Sequence, residues 1–173
     1  MSLTIKEDVH MLDQMKEALD YLVHTEVGVG IPPENDHHSG PFSASELLYL
    51  HESGCPVNRV PPRPVMDPAL SDGDVQQSMA DALLEALEAA LQGSIEGAQA
   101  GLEKAGQTGA DALKNYIMDG GHLAANAPIT VSGGWMRNHK SGKPVFIHGK
   151  GGATPLLDTG QLVNAFGYKI KEK

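Results

Sequence analysis

The chain has 173 residues, of which 40% are hydrophobic and only 5% aromatic, with a formal net charge of −9. That length suits one domain, 1–173, with a core of Leu, Ile, Val, Met and Ala rather than aromatic rings. The lone Cys55 excludes an internal disulfide framework and suits a reducing cytosol, and neither a signal peptide nor an apolar run of about 18 residues points to secretion or a membrane.

Charge is unevenly spread. Residues 1–136 hold six Lys/Arg against twenty Asp/Glu, a balance of −14, whereas residues 137–173 hold seven against two, a balance of +5. An acidic body with a basic end is not the footprint of a general nucleic-acid binder. It suits docking on further copies of the chain or on a partner of mixed charge.

In chain order, the first helix is predicted from Ile5 to Val23. Thr4 and Glu7 have capping-box spacing, and Leu12, Met15, Leu19 and Leu22 form one apolar stripe. Val27, Val29 and Ile31 alternate with Gly28 and Gly30 as a strand closed by Pro32-Pro33, and the glycines imply close packing on one face. After a polar loop, Ser43 and Glu46 form a second capping box for a short helix to Glu52, stopped at Gly54. Four prolines make Val60–Pro68 extended. A long helix starts at Asp74 or Val75, where Asp72 and Asp74 favour the N-terminus. Leu84, Leu87, Leu91, Ile95, Ala98 and Leu102 keep a helical period, which predicts burial of Leu84, Leu87, Leu91 and Ile95 and exposure of Glu85, Glu88 and Glu96. Gly93, Gly97 and Gly101, four apart, imply close approach of another helix, while Gly106 and Gly109 are expected to break this one before a second piece ends at Asp119. Gly133–Gly152 reads as a long mobile loop, with a loose hairpin around Val145–Ile147 as an option. Asp158 or Thr159 is expected to cap a short helix holding Leu162 and Val163. Phe166, Tyr168 and Ile170 then alternate as a final strand, the best partner for Val27–Ile31.

Motifs for chemistry are sparse. His37, His38, His51 and Cys55 match no closed zinc pattern. Gly28-x-Gly30 lacks the third glycine of a dinucleotide fingerprint, Gly142-Lys143 is followed by proline rather than Ser or Thr, and no G-x-S-x-G elbow occurs. Asp72 and Asp74 lack the downstream acidic ligands of a calcium loop. No metal and no cofactor is expected.

Three segments stand out instead: Ser45–Gly54, with His51-Glu52-Ser53-Gly54; Val60-Pro61-Pro62-Arg63-Pro64; and Pro155-Leu156-Leu157-Asp158-Thr159-Gly160-Gln161-Leu162. Together with the Val-Gly-Val-Gly strand and the alanine-rich helix, in this order, they resemble the phage tail-component and virion-morphogenesis families. The likeness covers Val27 to Lys171, although Val65 stands where the family often has Phe. It implies a non-enzymatic structural protein of a tailed bacteriophage or prophage, placed at the neck or tail: tail completion, head–tail joining or a minor tail component. Such a protein works through interfaces with other neck or tail proteins and in a ring or multi-copy assembly. It resides in the bacterial cytoplasm during assembly and then in the virion. The motif residues Glu52, Gly54, Arg63, Pro64, Leu156, Asp158, Thr159, Gly160 and Leu162 become structural or interface positions. From the residues themselves, Arg63, held between prolines, is expected to fork onto Glu52 or Asp158. Arg137, Lys140, Lys143 and Lys150 form an expected assembly loop.

The expected fold is α+β, a small, mainly antiparallel sheet packed against a long helix with additional short helices. Two other readings stay open: a small phage-encoded hydrolase using His51, Glu52 and Asp158, and a connector adaptor that touches DNA with the basic loop.

Overall fold

The computed structural model describes residues 3–138 and 141–173; side chains are described from Val9 onward. The side chains of the expected Thr4–Glu7 capping box are therefore not described, and Lys140 lies outside the described residues. The fold is α+β.

Helix α1 (Leu3–His24) runs straight into strand β1 (Thr25–Gly30). The Thr25 hydroxyl donates to Tyr21 O at 2.6 Å, which ties the last helical turn to the first strand residue. The expected stripe is covered from Met15 onward: Met15, Leu19 and Leu22 are partly buried beside fully buried Ala18, whereas Leu12 is exposed. Strand β1 pairs antiparallel with the last strand, β4 (Gly167–Glu172), in the register Val27↔Ile170 and Val29↔Tyr168, the partnership the two alternating patterns suggested.

The expected single long helix is two helices. Helix α4 (Gly73–Leu91) and helix α5 (Ile95–Asp119) pack antiparallel across a three-residue turn. Gly93 takes φ +79°, and Ser94 caps α5 by accepting from Gly97 N at 3.0 Å. The apolar spacing continues across this turn by coincidence, which hid it. Asp72 caps α4 by accepting from Asp74 N and Val75 N.

Burial on α4 also corrects the expectation. Leu84, Leu87 and Leu91 are exposed, and Ala82, Ala86 and Ala90 face inward; Glu85, Glu88 and Glu96 are exposed as expected. The reason is the glycines. A Cβ on Gly101 would lie 2.6 Å from Ala86 Cβ, and one on Gly97 2.7 Å from Ala89 Cβ. Helices this close have room only for alanine and glycine between them, so the leucines are displaced to the other face. Gly106 and Gly109 do not break α5. They sit buried within it against Tyr168 and Val29, which lets the helix lie directly on the sheet.

Helix α2 (Ala44–Ser53) carries the expected Ser43–Glu46 capping box, and Asp36 adds to it by accepting from Ser45 N and Oγ, both at 2.7 Å. The stretch after Val60 is extended only as far as Pro64, and Val65 is the N-cap of the next helix. Helix α3 (Met66–Leu70) then begins, with Pro68 within its first turn, where the proline nitrogen has no helical bond to lose. The main core joins α2, α3 and α5 to helix α7 (Gln161–Ala165) through fully buried Phe166, Leu113, Ile117 and Val65. A small second core holds Ala18, Ala90 and Ala98 where α1 crosses the helical pair.

The segment expected to be one long loop is structured in part. Helix α6 (Pro128–Ser132) leads into a hairpin of β2 (Gly134–Arg137) and β3 (Pro144–Ile147), in the register Trp135↔Phe146. Among the described residues no helix is long and apolar enough to cross a membrane.

Candidate functional site: a cleft where three motifs meet

The three segments singled out in sequence converge on one cleft of about 340 Å³. Its walls are His38, Ser39, Leu47, His51, Arg63, Asn126, Thr130, Lys150 and the run Leu156, Asp158 to Leu162. Helix α2 contributes His51 from its last turn, and the proline-stiffened segment before α3 contributes Arg63. The turn before α7 contributes Asp158, Thr159 and Gly160, where Leu156 is held at φ +61° and Gly160 at φ +78°.

Arg63 is the structural centre, only 6% exposed. It does not fork onto Glu52 or Asp158. Nε donates to Ala124 O at 2.7 Å and Nη2 to Ala125 O at 3.1 Å. The guanidinium is thus a clip for the otherwise irregular chain after α5, with two N–H donors matched to successive carbonyls. Burial lowers its pKa, yet the guanidinium remains a cation.

Glu52 is used elsewhere. Its Oε1 accepts from Val65 N at 2.7 Å and Met66 N at 2.8 Å, which satisfies donors at the start of α3. Gly54 is required by crowding: a Cβ there would lie 2.8 Å from Pro62 N and 2.9 Å from Val60 O, at φ +69°. Pro64 is exposed and outside the cleft, while Leu162 is buried in the core. Neither Asp158 nor Thr159 is the N-cap of α7. Gly160 holds that position without a side-chain cap, because its left-handed backbone turns the chain into the helix, and Thr159 Oγ1 only accepts from Gln161 N at 3.4 Å.

Lys150, expected with the assembly loop, belongs to the cleft instead. Its ammonium donates to Thr154 O at 2.5 Å and Leu157 O at 2.6 Å, closing the 150–157 loop on itself. Burial lowers its pKa from 10.5, the Asp158 charge opposes that shift, and the Arg63 charge adds to it. Arg137 and Lys143 stay on the exposed hairpin, away from the cleft.

Sequence reasoning missed the groups that tie this region together. Asn126 Nδ2 donates to Ala153 O at 2.9 Å, and Gln161 Oε1 accepts from Ser39 N and Ser39 Oγ at 3.1 Å each. Asn126 sits in no pattern that would mark it, and Gln161, although inside the third segment, carries no role there by sequence. His51 Nδ1 is buried without a hydrogen-bond partner, and burial followed by the nearby Arg63 charge lowers the pKa of its imidazole from 6.5. The ring is therefore held neutral near pH 7.

Chemically, the cleft is a clasp. Its two cations, Arg63 and Lys150, are directed at backbone carbonyls, and Asp158, the acid in its lining, is close enough to act electrostatically on Lys150. Among the described residues, no group of three or more His, Cys, Asp and Glu side chains is arranged to hold a metal ion. No protein-family profile, no curated protein and no solved structure matches this chain.

Proposed function

We propose that this chain is a structural, non-catalytic protein of a phage or prophage neck or tail, working in tail completion, head–tail joining or as a minor tail component. The observation that carries the reading is how the charged side chains in and beside the cleft are used. Glu52, Arg63 and Lys150 all direct their polar atoms at the chain's own backbone. Residues committed in this way build a rigid support rather than meet a substrate. The ordered series of motifs, with its likeness to the virion-morphogenesis families, supports the same reading. So does the placing of large apolar side chains outside: Leu84, Leu87, Trp135 and Phe146 are all exposed, as on a protein that works through interfaces. The structural reading is favoured over the hydrolase alternative by Glu52, whose carboxylate accepts from Val65 N and Met66 N.

The chain would function with other neck or tail proteins and in several copies, first in the bacterial cytoplasm and then in the virion, without a cofactor. Disrupting the gene in its own genome and imaging particles after induction tests this. Free heads and separate or defective tails are expected, with the chain found by mass spectrometry in purified wild-type particles. Complete, infective particles from the disrupted genome, or particles that lack the chain, overturn it.

A further inference from the structure

The β2–β3 hairpin is unusual for the side chains it leaves in water. Trp135 is 71% exposed and Phe146 45%, and Met136 and Val145 are exposed beside them. Trp135 packs edge-on to Phe146 at 5.3 Å, so the hairpin's apolar contact is mainly with itself. Among the described residues, no other helix or strand makes an extended contact with it. A two-stranded hairpin standing alone in water is marginally stable at best. An aromatic hairpin of this kind is built to be covered.

A second uncovered surface lies on α4. Leu84, Leu87 and Leu91 recur at three and four residues, so they form one outward stripe opposite the inward alanines. Among the described residues of one chain, the stripe and the hairpin make no extended contact.

Charge pairs the two surfaces. Residues 133–152 contain four Lys/Arg and no Asp/Glu, while Gly73–Leu91 contains four Asp/Glu and no Lys/Arg. On the hairpin, Arg137 and Lys143 are exposed. On α4, Lys104 already engages Glu85, which leaves Asp81 and Glu88 exposed on the flank of the stripe.

We propose that the β2–β3 hairpin of one copy docks on the leucine stripe of α4 of the next, with Arg137 and Lys143 meeting Asp81 and Glu88. This rests on the reading above of a structural protein that works in several copies, and names the contact between copies. The two surfaces differ, so the association is head to tail. It continues from copy to copy and closes into a ring when the rotation allows. The opposite charges steer the encounter and fix its register, while the aromatic and leucine side chains supply the apolar burial.

Sedimentation velocity on the purified full chain tests this with two variants that each lose one surface. Trp135→Ser with Arg137→Glu removes the hairpin side, and Leu87→Ser with Glu88→Lys removes the helix side; circular dichroism checks that both remain folded. The wild type is expected to form species larger than a dimer, weakened by high salt, and each variant alone to be monomeric. An equimolar mixture of the two variants should form a dimer and stop there, because only one intact hairpin and one intact stripe remain. A wild type that stays monomeric up to about 1 mM, the weak end of specific association, overturns the proposal. So do variants that assemble like the wild type, or a mixture that stays monomeric. Failure here alongside incorporation of the wild-type chain into particles removes the head-to-tail contact alone. Self-association of a chain absent from particles removes the phage reading alone.

Discussion

Replacing Arg63 by Met keeps most of the side-chain volume and removes both N–H donors. The Ala124 and Ala125 carbonyls then lose contacts of 2.7 and 3.1 Å. Hydrogen bonds to a charged group contribute about 1.5–3 kcal/mol each. Ala125 is exposed and its carbonyl regains water, so the second bond counts at the low end; Ala124 is half-buried and counts more fully. Relief of the buried charge offsets part of the sum. Arg63→Met is therefore expected to cost about 2–3 kcal/mol. Arg63→Ala adds roughly 1–2 kcal/mol for the lost packing. Arg63→Lys falls between wild type and Met, since one ammonium does not reproduce the planar fork that grips two successive carbonyls. Urea unfolding followed by far-UV circular dichroism measures these values. Limited proteolysis should show new cleavage between Ala124 and Gly133, the stretch that Arg63 pins. An Arg63→Met variant within about 0.5 kcal/mol of wild type, the range of ordinary surface substitutions, would refute the clasp.

Leu91→Ala, at a side chain 48% exposed, should cost less than about 1 kcal/mol in the monomer rather than the several expected of a core leucine; a larger loss in urea melts would place the stripe in the core. Gly101→Ala sets a Cβ 2.6–2.7 Å from Ala86 Cβ, Cα and N, so overpacking of about 1–3 kcal/mol outweighs the roughly 1 kcal/mol gain in helix propensity. Gly73→Ala meets nothing within 4 Å and should be neutral or stabilising; equal effects at the two sites would contradict the close α4–α5 packing. His51 makes stability sensitive to acid. Its folded-state pKa lies below 6.5, so as pH falls below that value the unfolded chain takes up a proton before the folded chain does, and stability declines until the folded imidazole also titrates. His51→Gln should flatten this part of the pH profile, measured as urea midpoints between neutral and mildly acidic pH; an unchanged slope would place the acid sensitivity elsewhere.

Much of the architecture is legible along the chain because it rests on local rules. The Ser43–Glu46 box starts α2 because hydroxyl and carboxylate satisfy neighbouring N–H groups within one turn. The two alternating strands found one another because no other strand of comparable pattern was available, and the residue types at their pairing positions, Val27 with Ile170 and Val29 with Tyr168, show why. The three motif segments were also visible as segments, and they do meet in one cleft.

What tertiary structure alone decided is which side of each element faces in, and which partner each charge takes. The leucines of α4 have core-like spacing, yet glycines in α5 bring the two helices so close that only alanine fits between them, and periodicity in one helix contains no information about its neighbour's backbone. Gly106 and Gly109 resemble helix breakers in isolation, whereas against Tyr168 and Val29 they are the residues small enough to let helix and sheet touch. Arg63 had two acidic candidates by sequence. It took two carbonyls instead, because the fold lays the chain after α5 across its guanidinium and places Glu52 at the start of α3. Local sequence specifies the hydrogen bonds that close within a turn; contacts between distant segments depend on how the whole chain fills space.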